Sequence, residues 1–149
     1  MLKIVLFQPE IAGNVGAIIR CCACFSAQLH IIEPCGFPFD LKRIKQSALD
    51  YINHVKIFRH NSFDEFYKNN INSSNRLILA TTKSKKDIYD FKFQPSDFIL
   101  FGRESSGVPE NIHLTANEKV TISMHNNQRS LNLAISCGIF LAKANFDIS

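Results

Sequence analysis

Six short apolar runs punctuate the chain: LKIVLF, QLHIIE, VKIF, RLILAT, DFILF and KVTIS. Runs this short, bounded by Gly, Pro, Asn or Asp, read as buried strands. Helical patterns alternate with them. VGAIIRCCACFS carries apolar residues at 15, 18, 19, 22 and 25, the spacing of an amphipathic helix. DLKRIKQSALDY reads as a short helix starting at Asp40, and SFDEFYKNN as a helix with Ser62 and Glu65 in capping-box spacing. The last helix is SLNLAISCGIFLAKANF. QPEIAGN is a loop in which Pro9 and Gly13 break the strand and Asn14 caps the helix that follows. Strands in alternation with helices dictate an α/β fold with a mainly parallel sheet flanked by helices. At 149 residues, with no internal repeat, low-complexity segment or linker, the expectation is a single domain over residues 1–149.

A hydrophobic share of 46% with 20% charged residues is ordinary for a globular protein. No apolar run approaches the ~18 residues of a membrane span. MLKIVLFQPE has neither a basic leader nor a small-residue cleavage site, so it reads as the first core strand of a cytoplasmic protein. Cys21, Cys22, Cys24, Cys35 and Cys137 include no pair at metal-ligand spacing. Buried reduced thiols are the expectation, with no metal. The net charge of +4 permits a nucleic-acid partner without demanding one.

The final helix constrains assembly. Leu131, Leu133, Ala134, Ile135, Cys137, Ile139, Phe140, Leu141 and Ala142 cover nearly its whole circumference. A helix apolar all round must be buried all round. On an open sheet a second subunit supplies the missing cover, so a homodimer is expected.

In a parallel sheet, ligands bind beyond the carboxyl ends of the strands. The loops at those ends are QPEIAGN, EPCGFP, TTKSKK, GRESSGVP and MHNNQRSLN, rich in glycine, bases and polar side chains. GNVG followed by Glu33 imitates part of a dinucleotide fingerprint, but the triple-glycine pattern is absent. There is no P-loop lysine pattern. Ser130, His125 and Asp97 offer hydrolase ingredients without a nucleophile elbow.

NVGAIIR, LFGRESSGVP and RSLNLAISCGI, in that order and spacing, resemble the three motifs of the SPOUT superfamily of RNA methyltransferases. The length matches best its small single-domain members, the tRNA (cytidine/uridine-34) 2'-O-methyltransferases, and the similarity extends through LHIIEPCGFPFDLKRIKQSALDY. The resemblance implies a C-terminal deep trefoil knot, which rules of chain threading alone would argue against. It also implies S-adenosylmethionine bound by the knotted loops, a homodimer whose partner subunit completes the site, and tRNA as substrate, with neither DNA nor membrane involved.

By position in the matching motifs, the cofactor contacts fall at Ala80, Gly102, Ile122 and Ser130, with Met124 and Leu131 nearby. The matching arginine is Arg20, catalytic in relatives, with Asn14 ordering it; Glu104 faces the same pocket and Asn132 opens the last helix beside Ser130. Gly16 leaves room for a phosphate or ribose beside Arg20, and Ser130 is a suitable N-cap. Arg129 and His125 are candidates for phosphate contact, with Lys3, Lys42, Arg43, Lys45, Lys83, Lys85 and Lys86 as electrostatic footing. Arg103 departs from the small residue or proline often found in the motif, and its role is left open. Ala142 stands where relatives often carry an aromatic. The function implied is methylation of the ribose 2'-hydroxyl of the tRNA wobble nucleotide. A same-fold enzyme acting on rRNA or another tRNA position, and a non-catalytic knotted RNA-binding protein, stay open as alternatives.

Overall fold

A computed structural model describes residues 1–126, 128 and 130–149, with the backbone alone at 41, 45, 46 and 47. Alternation along the strands sets the architecture. On β1 (Lys3–Phe7), Ile4 and Leu6 enter one core cluster while Val5 and Phe7 enter another. A strand that buries both faces belongs in the middle of a layered fold. The remaining strands are β2 (Gln28–Ile32), β3 (Ile57–His60), β4 (Leu77–Ala80), β5 (Phe98–Phe101) and β6 (Glu118–Val120). They form one sheet in the order β3-β2-β1-β5-β4-β6, every pairing parallel. The order reverses beside β1 and β5, which places the crevice of a doubly wound sheet there.

Helices α1 (Ala12–Cys24), α2 (Leu41–Ala48) and α5 (Leu133–Ile148) cover one face, contributing Ile18, Ile19, Ile44, Cys137, Phe140 and Leu141 to the core. Helices α3 (Phe63–Asn70) and α4 (Glu110–Thr115) cover the other through Phe63, Phe66 and Ile112. Ser62 caps α3 as its sequence position predicts, its hydroxyl accepting the Glu65 N–H at 3.1 Å. Asp40 flanks α2 and accepts the Lys42 N–H at 2.9 Å. All five cysteines are free thiols. Burial pushes the Cys22 and Cys137 thiols upward, so both stay protonated.

Several expectations need correction. Asn14 is not the cap of α1; the helix starts at Ala12, after Ile11, and Asn14 is buried within its first turn. Strand β3 runs from Ile57, not Val55, because its register is fixed by pairing Leu29 with Ile57. The cap of α5 is Asn132, not Ser130. Helix α4 was not expected: its ENIHLT sequence buries only Ile112 and shows no apolar period. Finally, α5 is not buried all round within one chain. Cys137, Phe140, Leu141 and Ala144 are buried, but Ile135 is 56% and Phe146 76% exposed.

Candidate active site

At the carboxyl ends of β1, β4, β5 and β6 the chain encloses a cavity of about 480 Å³, within the range that takes a small-molecule ligand. Its walls come from the loops after β4, β5 and β6 and from the starts of α1 and α5. Of the residues singled out in the sequence, Asn14, Ala80, Gly102, Glu104, Ile122, Met124, Ser130, Leu131 and Asn132 all line it. Residues separated by more than a hundred positions therefore meet in one place.

The loop after β5 is shaped by two glycines. Arg103 and Gly107 exchange backbone N–H···O bonds of 3.0 Å in both directions, closing the intervening residues into a tight loop. A Cβ on Gly102 would lie 2.5 Å from the Gly107 carbonyl carbon, so only glycine allows this approach. Gly107 adopts φ +67°, the left-handed region that glycine enters without steric cost.

Glu104 then reaches back across the crevice. Its carboxylate accepts the Glu10 N–H at 2.9 Å, the Ile11 N–H at 2.8 Å and the Asn14 side-chain amide at 3.3 Å. These donors belong to the start of α1, where the orphan N–H groups and the helix dipole favour an anion. Glu10 returns the contact: its carboxylate accepts the Ser105 N–H at 2.9 Å and the Ser105 hydroxyl at 2.8 Å. Those two bonds hold the Glu10 carboxyl below its ordinary value.

Asn14 carries the link onward. Its Oδ1 accepts the Asn132 Nδ2 at 3.2 Å, while Asn132 Oδ1 accepts the N–H groups of Ala134 at 2.9 Å and Ile135 at 3.2 Å. One chain of bonds thus fixes the loop after β5, the first turn of α1 and the cap of α5. Asn14 is buried as the middle member of this chain, and within one subunit it holds Glu104 and Asn132. Arg103 makes no ion pair with Glu104. Its guanidinium donates twice to Gln8 Oε1, at 2.9 and 2.6 Å, and lies 4.8 Å from the Phe7 ring centroid.

The cavity suits a nucleoside joined to an amino acid. Phe101, Val120, Ile122, Leu133 and Phe140 give its lining the apolar surface against which a flat base packs. The close-packed Gly102 and Gly107 bring bare backbone to its floor, and hydroxyls of Thr81 and Ser136 are at hand for polar groups. Among the described residues no group of three or more His, Cys, Asp or Glu side chains could hold a metal ion.

Arg20 is not brought to this cavity. It is exposed on the outward face of α1, 5.0 Å from the Tyr51 ring centroid, and does not line the pocket of its own chain. His125 is exposed at the bend after Met124, and Lys83 lines the cavity mouth, while Lys86 pairs with Glu118 at 2.7 Å. Lys42, Arg43 and Lys85 are exposed and Lys3 is half-buried, away from the cavity lining. Arg129 lies outside the described residues, as does the side chain of Lys45. Thr81, His113 and Ser136 line the cavity but were not singled out in the sequence. The motif register could have pointed to Thr81, which follows Ala80, whereas His113 sits on the unexpected α4.

Comparison with known proteins agrees with this geometry. The chain is 40% identical over 139 residues to a tRNA (cytidine(34)-2'-O)-methyltransferase of Beijerinckia indica, covering 93% of this chain and 87% of that protein. A solved structure described as giving structural insights into the 2-OH methylation of C/U34 on tRNA superposes with a TM-score of 0.91 at 35% identity. It covers 97% of this chain and 93% of that one. The AdoMet complex of the SpoU methyltransferase AviRb from Streptomyces viridochromogenes shares the fold at a TM-score of 0.88 and 22% identity. There the match covers 98% of this chain and 57% of that one. The model of the SpoU rRNA Methylase family matches residues 1–142. A parallel six-stranded sheet, a glycine-built cavity at its carboxyl edge and a family match over nearly the whole length lead to one conclusion: the chain belongs to the SpoU rRNA Methylase family.

Proposed function

We propose that this protein transfers a methyl group from S-adenosylmethionine to the ribose 2'-hydroxyl of nucleotide 34 of tRNA, as a cytoplasmic homodimer with its C-terminal segment in the superfamily's trefoil knot. The observation that carries the reading is the Glu104–Asn14–Asn132 chain, which joins the three motif loops around a cavity fit for a nucleoside. The names of relatives such as the Beijerinckia protein supply the substrate.

Ala80, Gly102, Ile122, Met124, Ser130 and Leu131 would hold the cofactor. Bound there, S-adenosylmethionine supplies an electrophilic methyl on a sulfonium, so the protein needs to position the hydroxyl and stabilise charge developing on its oxygen. Glu104 and Asn132 act through the walls they hold in place. A guanidinium offers a fixed fork of N–H donors and no acceptor, so Arg20 orients the ribose oxygen and stabilises the negative charge that develops on it.

Arg20 reaches a cavity by way of the second subunit. On α5, Ile135, Ile139, Ala142 and Phe146 follow the i, i+4, i+7, i+11 spacing of one helix face, and Ile135 and Phe146 are among the most exposed apolar residues. The neighbouring α1 packs close at Gly138, where a Cβ would meet Cys21 Sγ at 3.7 Å. An apolar stripe beside the exposed Arg20 face supports a subunit contact that delivers Arg20 of one subunit to the cavity of its partner.

The test is incorporation of labelled methyl from S-adenosylmethionine into RNA from cells lacking the protein. Label in tRNA is the expected result. Label in rRNA alone would move the target, and cofactor binding without transfer to any RNA would overturn the enzymatic reading.

A further inference from the structure

The turn between β4 and β5 starts in the cavity wall at Thr81, Thr82 and Lys83, and its remainder runs on beyond the lining. It carries Lys83, Lys85 and Lys86, then a short 3-10 turn, Ile88–Asp90. Within that turn Ile88 is fully buried, whereas the adjacent Tyr89 ring is 74% exposed.

The exposure is not a product of slackness. Ile88 N–H donates to the Thr121 carbonyl at 2.8 Å, and Thr121 N–H donates to the Lys86 carbonyl at 2.9 Å. Asp87 accepts the Tyr89 N–H at 2.8 Å and also bonds Ser123, and the Ser84 hydroxyl donates to the Lys119 carbonyl at 2.6 Å. The turn is thus clamped to β6 and to the segment that follows it. Thr121 lines the catalytic cavity, as does Lys83 at the other end of the turn. The backbone of the turn is therefore held against Thr121 of the cavity wall, and Tyr89 is carried on it with its side chain open to solvent.

The chemistry around the ring selects its partner. Lys83 and Lys85 are exposed on the same turn and make no ion pair among the described residues, while Lys86 is engaged by Glu118. A flat exposed ring on the same turn as Lys83 and Lys85 fits an unpaired nucleobase with its phosphates, the arrangement by which single-stranded RNA is gripped. An acidic peptide would use the lysines and leave the ring idle. A second copy of the chain, with its own net charge of +4, would bring excess positive charge to the lysines.

We propose that Tyr89 is a stacking platform for an unpaired base flanking the nucleotide that is methylated, with Lys83 and Lys85 contacting the adjoining phosphates. This subsite rests on the RNA-methylating reading given above and extends it.

The experiment compares wild type with Tyr89→Ala, Tyr89→Phe and Lys85→Gln, measuring kcat, the KM for tRNA and the Kd for S-adenosylmethionine. Tyr89→Ala is expected to raise the KM for tRNA about 5- to 100-fold, leaving kcat and cofactor affinity within twofold. Tyr89→Phe keeps the ring and should stay within twofold of wild type. Lys85→Gln should lower the salt slope of RNA binding by about 0.7.

An unchanged KM in Tyr89→Ala, with wild type active, would overturn the platform. So would a parallel loss of cofactor affinity, which would mark a structural role, or a shift in self-association on sedimentation, which would assign the ring to a subunit contact. If wild type methylates no RNA, the failure belongs to the functional reading. Binding of a fluorescent single-stranded RNA oligonucleotide then decides the platform alone: weaker binding by Tyr89→Ala supports it, and equal binding overturns it.

Discussion

Glu10 and Glu104 hold each other's loops in place. The Glu104 carboxylate accepts the Glu10 N–H at 2.9 Å, and the Glu10 carboxylate accepts the N–H of Ser105, the residue after Glu104, also at 2.9 Å. Two carboxyl groups thus sit close together because each is held by backbone donors of the other's loop. The loop after β5 is bolted to the start of α1, and the cavity lies between them.

Replacing Glu104 with Gln keeps the shape but removes the charge that three N–H donors address. The expected cost is about 1–3 kcal/mol of stability, together with weaker cofactor binding, because the loop after β5 is freed from α1. Thermal denaturation and cofactor titration of Glu104→Gln check this. An unchanged melting temperature and cofactor affinity would contradict the strut.

Gly102→Ala drives a methyl group into the backbone of Gly107. Neither partner is a side-chain end that could swing away, so the loop must move. Cofactor affinity is expected to fall by about tenfold or more, readable by calorimetric titration with the protein still folded by circular dichroism.

Arg20 and the subunit contact make a joint prediction. Arg20→Ala should lower kcat by about 100- to 1,000-fold, with cofactor affinity within twofold, since Arg20 does not line its own cavity. If α5 forms the proposed subunit contact, Phe146→Asp should leave a monomer and abolish transfer without unfolding the chain, because Phe146 is 76% exposed. Mixed dimers of Arg20→Ala and Gly102→Ala chains should regain activity. In such a dimer one intact cavity faces one intact arginine. Failure of the mixture to recover, with mixed dimers formed, would place Arg20 in the cavity of its own chain.

A buried histidine pair sets the response to acid. His30 Nδ1 and His60 Nε2 are 2.9 Å apart, His30 is stacked on Phe58 and edge-on to Phe66 and Phe98, and both histidines are buried. Burial, aided by His60 and Lys3, pushes His30 down to about 4. Burial also lowers His60, with Glu65 opposing. An unfolded histidine takes up its proton near pH 6.5. Between about pH 6.5 and about 4 the unfolded chain therefore binds more protons than the folded one, and stability falls as the pH falls through that window. Melting temperature against pH should show this slope, and a His30→Leu, His60→Leu double substitution should flatten it.

Much of this was legible in the sequence, for reasons that differ by element. Strand positions could be read because buried parallel strands are short apolar runs, and Ser62 could be read because capping is local. Asn14 was found as a site residue through its motif, but its role was misread as a cap. Local sequence at Asn14 does suit a cap; the carboxamide is instead held by Glu104 and Asn132, 90 and 118 residues away. Such bonds leave no periodic trace. Helix α4 was invisible because six residues burying one side chain carry no amphipathic signal. The apolar circumference of α5 was plain in the sequence, while the division into a buried face and the exposed stripe of Ile135 and Phe146 required the position of the sheet.

The decisive measurement is the position of the methyl group. tRNA from a strain lacking this protein would be treated with the enzyme and S-adenosylmethionine, digested with nuclease and examined by mass spectrometry. A 2'-O-methyl ribose at nucleotide 34, absent with Arg20→Ala, is the predicted result. A methyl group on a base, or on the ribose of any other nucleotide, would contradict it.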